Sequence, residues 1–500
     1  MNLLILLAIP LLTALLILVS RNKKQVRWIA LFGSVVQLLL AFLLMGAYLD
    51  GDRPSERVMD FEQNFPLFSS IDINFHLGVD GIAVSMILLT ALVVLSGVLV
   101  SWNVEKMTKE YFFLLILLGL GAYGFFISLD LFILFFFLEI AVIPKYLLIG
   151  IWGSGKKEYS ANKLALMLMG GSALVLVGVL GIYFAAGRSF DLMHLAQLDI
   201  GINTQRIIFP LLFVGFGVFT ALFPFHTWVP DGHSSAPTAG SMFLAGISMK
   251  LGGYGCLRVA TFLMPEAAKE YSTIIIVLAC IAILYGAFAT MMQKDLKYIN
   301  AYSSISHCGF VLLGIGMLTT TAITGAVMQM VSHGLMTALF FAVIGMIYER
   351  THTRMVAEMS GLMKPMPFIS TAFFLVGLCS LGLPGLSGFV AEMTIFIGSW
   401  EKQEIFYRVA TIIACMSIVV TAVYILRAIG KVAMGPFSSP SVVRSSVTSH
   451  SDLQYPDVTW NEKLAVIILL AGILAIGIAP QWLNELIRPG ADVIMDKINK

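Results

Sequence analysis

The chain has 500 residues, of which 58% are hydrophobic and only 12% carry charge, and its mean hydropathy is +0.91. Soluble globular chains are about one quarter charged, so this composition excludes a water-soluble fold and indicates a polytopic membrane protein. A net charge of +2 gives no hint of nucleic-acid binding. The cysteines Cys256, Cys280, Cys308, Cys379 and Cys415 stand singly in apolar segments, without the paired spacing of zinc or iron–sulfur ligation. Neither a metal nor a cofactor is expected in this chain.

The expected fold is all-α with about fourteen spans in one membrane domain, 1–500. In chain order they fall near 2–20, 27–48, 78–100, 111–128, 130–152, 163–186, 207–227, 236–262, 272–292, 299–318, 322–348, 367–398, 405–430 and 461–482. The first, MNLLILLAIPLLTALLILVS, lacks a basic start and a small-residue cleavage site, so it reads as a span and not a removed signal. The polar stretch Asp50 to Asn74 and the Ser-rich stretch Ser438 to Ser451 are the main extramembrane loops. The loops 21–27, 101–110, 153–163, 293–298, 349–365 and 431–460 share one side and hold sixteen Lys or Arg, against about nine opposite. The positive-inside rule places that side in the cytoplasm and both termini outside.

Two spans are interrupted, at Leu222-Phe-Pro-Phe-His-Thr-Trp-Val-Pro230 and at Leu381-Gly-Leu-Pro-Gly-Leu-Ser-Gly388. Proline removes a helix donor and glycine loosens the backbone. Irregular backbone at membrane depth survives only where protein buries it or where it lines a wet cavity. The breaks fall in the seventh and twelfth spans, an odd offset that inverts orientation and signals inverted repeats with broken helices. The two five-helix repeats are expected at 111–262 and 272–430, with 461–482 as the last span.

Against this apolar background a few ionisable residues stand out. Lys250 lies in TAGSMFLAGISMKLGGYGCL, Glu139 in LFILFFFLEIAVIP and Glu392 in LSGFVAEMTIFIG. A charge at the bilayer centre costs about 3 kcal/mol on insertion scales, so three of them mark a pathway for protons or ions more readily than packing. The rival reading for each is a structural carboxylate or a subunit-pairing charge. Lys145 follows Pro144, about 600° around an ideal helix from Glu139 and so off its face. Snorkelling to an interface competes evenly with function there. The mid-span His307 and His333 can pass a proton between ring nitrogens. His226, Asp231 and His233, in and after the first break, either line a cytoplasmic entrance or cap helices. Asp295, Lys294 and Lys297 read as a solvated loop cluster, and Asp130 and Glu110 as interfacial span edges.

The segments FPFHTWVPDGHSSAPTAGSMFLAGISMKLGGYGCLR, QKDLKYINAYSSISHCGF and GLPGLSGFVAEMTIF closely resemble the proton-pumping, antiporter-like subunits of respiratory complex I. The resemblance covers nearly the whole chain. Within that family the M type has glutamate in the twelfth span, where the L and N types and the Mrp antiporter subunits mostly have lysine, and Glu392 matches it. The resemblance implies a proton relay of Glu139, Lys250 and Glu392 linked by His307 and His333. Quinone reduction in other subunits, which hold NADH, FMN, iron–sulfur clusters and quinone, would drive it. It further implies L- and N-type neighbours, membrane lipids around the chain, and a bacterial cytoplasmic membrane. One position departs: the family's seventh-span lysine is Phe219 here, and Lys145 is the candidate replacement. A subunit of an Mrp-type Na⁺/H⁺ antiporter, or of a membrane-bound hydrogenase or ferredoxin-driven complex, is the alternative.

Overall fold

The computed structural model describes residues 2–51, 58–438 and 455–500. Among them ten helices are long and apolar enough to cross a membrane, and Leu4–Val19 and Pro367–Ser380 are shorter apolar helices. Leu296–Gly316 has the length but is too polar to join the ten, because Asn300, Ser303, Ser304, Ser306 and His307 punctuate it. Most of the Ser-rich loop, 439–454, lies outside the described residues.

Aspartates start several helices. Asp80, Asp130 and Asp295 each accept from backbone N–H groups in the first turn of Gly81–Val100, Leu131–Trp152 and Leu296–Gly316, which satisfies donors that a helix start leaves orphaned. Asp130, at the start of its span, is fully buried and also accepts from Asn74 N at 2.9 Å. At the centre stands Thr320–Thr351, whose whole apolar window is buried. This helix carries His333 and packs against Gly81–Val100, Leu296–Gly316, Ser387–Trp400 and Trp460–Ile478.

Both expected interruptions are present. The helix Ile202–Thr220 ends at Ala221, whose φ of 67° is left-handed, and the chain resumes as Trp228–Ser235. The twelfth expected span divides into Pro367–Ser380 and Ser387–Trp400. In the gap Gly382 and Gly385 take φ of 75° and 89°, which only glycine adopts without strain. Pro144 does not break its helix, which runs unbroken from Leu131 to Trp152.

A hairpin and a terminal helix are among the elements unread in the sequence. The first polar loop folds into a hairpin in which β1 (Asp60–Phe68) pairs antiparallel with β2 (Ile73–Val79), with Asn64 opposite His76. A terminal helix, Gln481–Asn499, follows the last span and lays Leu483, Leu486, Ile487 and Ile494 against the bundle. Its approach is so close that a Cβ on Gly81 would sit 1.6 Å from the Leu486 carbonyl oxygen, so this docking requires glycine there.

Candidate functional site

Lys250 belongs to a helix that is not a regular α-helix. Between Thr238–Phe243 and Met249–Gly255 runs a π-turn, Leu244–Ser248, and a second, Cys256–Thr261, follows. π-turns displace the usual i→i−4 bonds and recur at functional sites. Here the Lys250 ammonium donates back to the Ala245 carbonyl at 2.5 Å and to His333 Nδ1 at 3.0 Å. Gly252 presses the same helix onto Ile202–Thr220, since a Cβ there would lie 2.5 Å from the Phe216 carbonyl oxygen.

From His333 the line continues to His307 by a ring contact, with no hydrogen bond between the two imidazoles among the described residues. The His333 and His307 rings have centroids 5.3 Å apart. His307 Nδ1 lies 3.3 Å from Glu392 Oε1 and 3.3 Å from Gln329 Nε2, and its Nε2 lies 3.3 Å from Ser380 Oγ. Cys308 Sγ approaches His333 Nδ1 at 3.8 Å. Glu392 sits directly beneath the second helix break, because a Cβ on Gly382 would be 2.9 Å from its Oε2. All four ionisable groups are at most 5% exposed. Four helices thus bring Lys250, His333, His307 and Glu392, as scattered as sequence allows, into one buried line.

Lys145 and Glu139 are arranged differently. Lys145 is 1% exposed, with no hydrogen bond to its ammonium among the described residues, and that ammonium stands 5.9 Å from the ring centroid of Phe219. Glu139 is half-buried, and one carboxylate oxygen is buried without a partner. Glu139 is within electrostatic reach of Lys145 but makes no ion pair with it. Among the described residues neither the Lys145 ammonium nor the buried Glu139 oxygen is hydrogen-bonded to the Lys250–Glu392 line.

On the side of the first break, His226 stacks on Phe223 and meets Tyr285 edge-on, with ring centroids at 5.4 and 4.8 Å. His233 is fully buried, both its nitrogens lack a partner among the described residues, and it senses Lys250 and Lys297 electrostatically. Asp231 pairs with Lys163 at 2.6 Å.

Lys297 corrects the sequence reading. It is not solvated: it is 4% exposed and donates to the Ala236 carbonyl at 2.7 Å, with Ser241 Oγ at 3.5 Å. Its partner Asp295 instead caps its helix and pairs with Arg354 at 3.2 Å. The buried Arg258–Asp80 ion pair was likewise unread, as were Gln329 and Ser380 around His307. Helical phase held the signal for Lys297, since Lys297, Asn300, Ser304 and His307 recur at three- and four-residue steps along one face.

Most of the chain is similar to known proteins. Residues 128–417 match the family model described as NADH:quinone oxidoreductase/Mrp antiporter, TM. The chain is 36% identical to NAD(P)H-quinone oxidoreductase chain 4 2 of Microcystis aeruginosa over 95% of this chain and 89% of that one. It is 34% identical to NADH-quinone oxidoreductase subunit M of Rickettsia bellii over 93% and 94%. Among solved structures, a chain of respiratory complex I from Thermus thermophilus with bound NADH superposes with a TM-score of 0.88 at 24% identity, covering 99% of each chain. A chain of the Mrp complex from Dietzia sp. gives 0.85 at 20% identity, covering 100% of this chain and 99% of that one, a likeness of fold.

Proposed function

The chain belongs to the family of NADH:quinone oxidoreductase and Mrp antiporter transmembrane subunits, and we propose that it moves protons as the M-type subunit in the membrane arm of an NADH:quinone oxidoreductase. The observation that carries this reading is the buried line Lys250–His333–His307–Glu392. An ammonium, two imidazoles and a carboxylate all exchange protons, and such groups in contact titrate as a set. Histidine passes a proton by accepting at one nitrogen and donating from the other, and His307 has a partner on each.

The chain does no redox chemistry in this reading. NADH, FMN, the iron–sulfur clusters and quinone belong to other subunits, and quinone reduction there drives a change of charge or shape at the first repeat. A charge moved near Glu139 alters the proton affinity of the Lys145 ammonium, and the perturbation travels to Lys250. A proton taken from the cytoplasmic side then leaves by way of Glu392, against about 2.3 kcal/mol per 100 mV. His226 and His233 line the entrance. The chain sits in a bacterial cytoplasmic membrane with both termini periplasmic, between L- and N-type neighbours. Its repeats are 111–262 and 272–430, each with one broken helix.

Replacing Lys250 by alanine tests this directly. The variant complex is expected to assemble and to lose most proton pumping per quinone reduced, measured as acidification of inverted vesicles. Near-normal pumping in an intact complex rejects the relay.

A further inference from the structure

The loop between the first two helices, Leu4–Val19 and Lys23–Leu49, borders an open pocket of about 960 Å³. Its lining divides into two halves. Leu16, Val19, Trp28 and Ile29 form an apolar floor, and Arg21 and Lys24 stand at a polar rim. Among the described residues no carboxylate lines it. By loop charge this is the cytoplasmic face.

The four cations of the segment Arg21 to Arg27 are not equivalent. Lys23 and Arg27 both reach Glu105, at 2.7 and 2.5 Å, so the neighbouring loop neutralises them. Arg21 and Lys24 are exposed and make no ion pair among the described residues; Lys24 is tied to Asn22 only through its backbone N–H. Trp28 sets the depth. Its ring, which is exposed, meets Trp102 edge-on at 5.3 Å, and Trp102 meets Trp460 at 5.4 Å. Tryptophans gather at the headgroup level of a bilayer, where the ring has one end in each phase. The exposed Leu12 and Phe32 lie four residues from Leu16 and Trp28, and so one turn deeper on the same faces. The floor therefore runs on into the lipid-facing surface.

We propose that this pocket binds an anionic phospholipid of the cytoplasmic leaflet, its phosphate against Arg21 and Lys24 and an acyl chain along Leu16, Trp28, Leu12 and Phe32. Two free cations above an apolar floor match the two parts of such a molecule. A free phosphate would leave the floor bare, and stable attachment to a membrane component takes chain burial and charge together. The inference is independent of the proton-translocation reading, because no member of the Lys250–Glu392 line borders the pocket.

The test uses the intact complex in its membrane. A phosphatidylglycerol carrying a photoreactive diazirine is added as a minor lipid, with the matching phosphatidylcholine as reference. Cross-links mapped by mass spectrometry are expected within 16–29, with the phosphatidylglycerol in excess. Arg21→Gln with Lys24→Gln should lower that excess roughly 30-fold, about fivefold for each cation near an anionic headgroup. Arg21→Lys should retain it. Lys156→Gln with Lys364→Gln removes the same charge from exposed positions on the same face, outside the pocket, and should change nothing. Inorganic phosphate at matched ionic strength should not compete. All four replaced side chains are exposed, and assembly of the complex is checked in each variant. No phosphatidylglycerol excess within 16–29, as when a neighbouring subunit covers the pocket, overturns the proposal. An equal loss in the two double variants also overturns it, because surface potential alone would then explain the binding. Displacement by phosphate would leave an anion site in place of a lipid site and refute the acyl-chain half.

Discussion

Lys145→Met should push stability and activity in opposite directions. The ammonium is 1% exposed and makes no hydrogen bond among the described residues, so it has lost its hydration with little in return. A cation over an aromatic ring recovers at most ~2 kcal/mol when desolvated, and here the ring centroid of Phe219 is 5.9 Å away, near the limit of the interaction. The effective penalty for burying an ion is several kcal/mol. The net balance is a destabilising residue, on the order of 1–4 kcal/mol, that methionine would relieve because it fills nearly the same space without charge. Thermal unfolding of the purified complex, followed through release of this subunit, should therefore move to higher temperature. Pumping in inverted vesicles should fall strongly if the ammonium serves the first half of the relay. Adding Phe219→Lys in that background should restore part of the pumping, because it returns a cation to the same pocket from the neighbouring helix. Wild-type pumping by Lys145→Met refutes a relay role, and a loss of stability would show that the ammonium is paired after all.

Glu392→Gln should damage pumping far more than Glu110→Gln, because Glu392 is 5% exposed against His307 whereas Glu110 is exposed. Equal mild effects would mean that burial in the line is irrelevant. Lys297→Met, near-isosteric and uncharged, should lower the pumping rate several-fold with the complex intact, and an unchanged rate would return Lys297 to a packing role. A pH effect is expected at the hairpin. Burial pulls His76 down, but Asp191 at 2.7 Å and Glu62 at 3.5 Å outweigh it and hold the imidazole above its ordinary value. That stabilisation is full below the ordinary histidine range and is lost as pH rises through the folded value. Burial alone would raise Asp191, but the His76 hydrogen bond and two backbone donors hold it below the usual carboxylate range, so its share is lost on acidification. Amide exchange in residues 60–79 should accordingly speed up with alkalinity beyond the intrinsic base-catalysed rate. His76→Gln should abolish that excess, and an unchanged excess would place the pH sensor elsewhere.

Much of this architecture was legible because the bilayer imposes long apolar helices that hydropathy detects. The two breaks were legible for the same reason, since Phe-Pro-Phe and Gly-Leu-Pro-Gly cannot continue a helix. What hydropathy cannot see is pairing between elements. β1 carries Pro66 and the polar run Glu62-Gln63-Asn64, so no alternation announces a strand, and pairing with β2 decides it. The Gln481–Asn499 helix is amphipathic and too polar for a span scan. Lys297 was misread because its sequence neighbours Lys294 and Asp295 precede the helix, whose own first turn carries Lys297 inward.

The site separates into two halves with different physics. From Lys250 to Glu392 each group is in contact or nearly so with the next, which suits transfer by hydrogen bonds. Around Glu139 and Lys145 there is no such chain: a half-buried carboxylate and a buried ammonium flank an aromatic ring without an ion pair among the described residues. Phe219 explains the difference. A lysine at that place would lie on the helix that Gly252 holds against Met249–Gly255, and so would stand between Lys145 and the helix of Lys250. With phenylalanine there, no hydrogen-bonded connection through that side chain exists. A field needs no contact, and at low dielectric it reaches several ångströms with little screening. In the proton-translocation reading proposed above, an effect of Glu139 and Lys145 on Lys250 would therefore be one of charge and not of proton hand-over, and the Lys145→Met variant is what tests it.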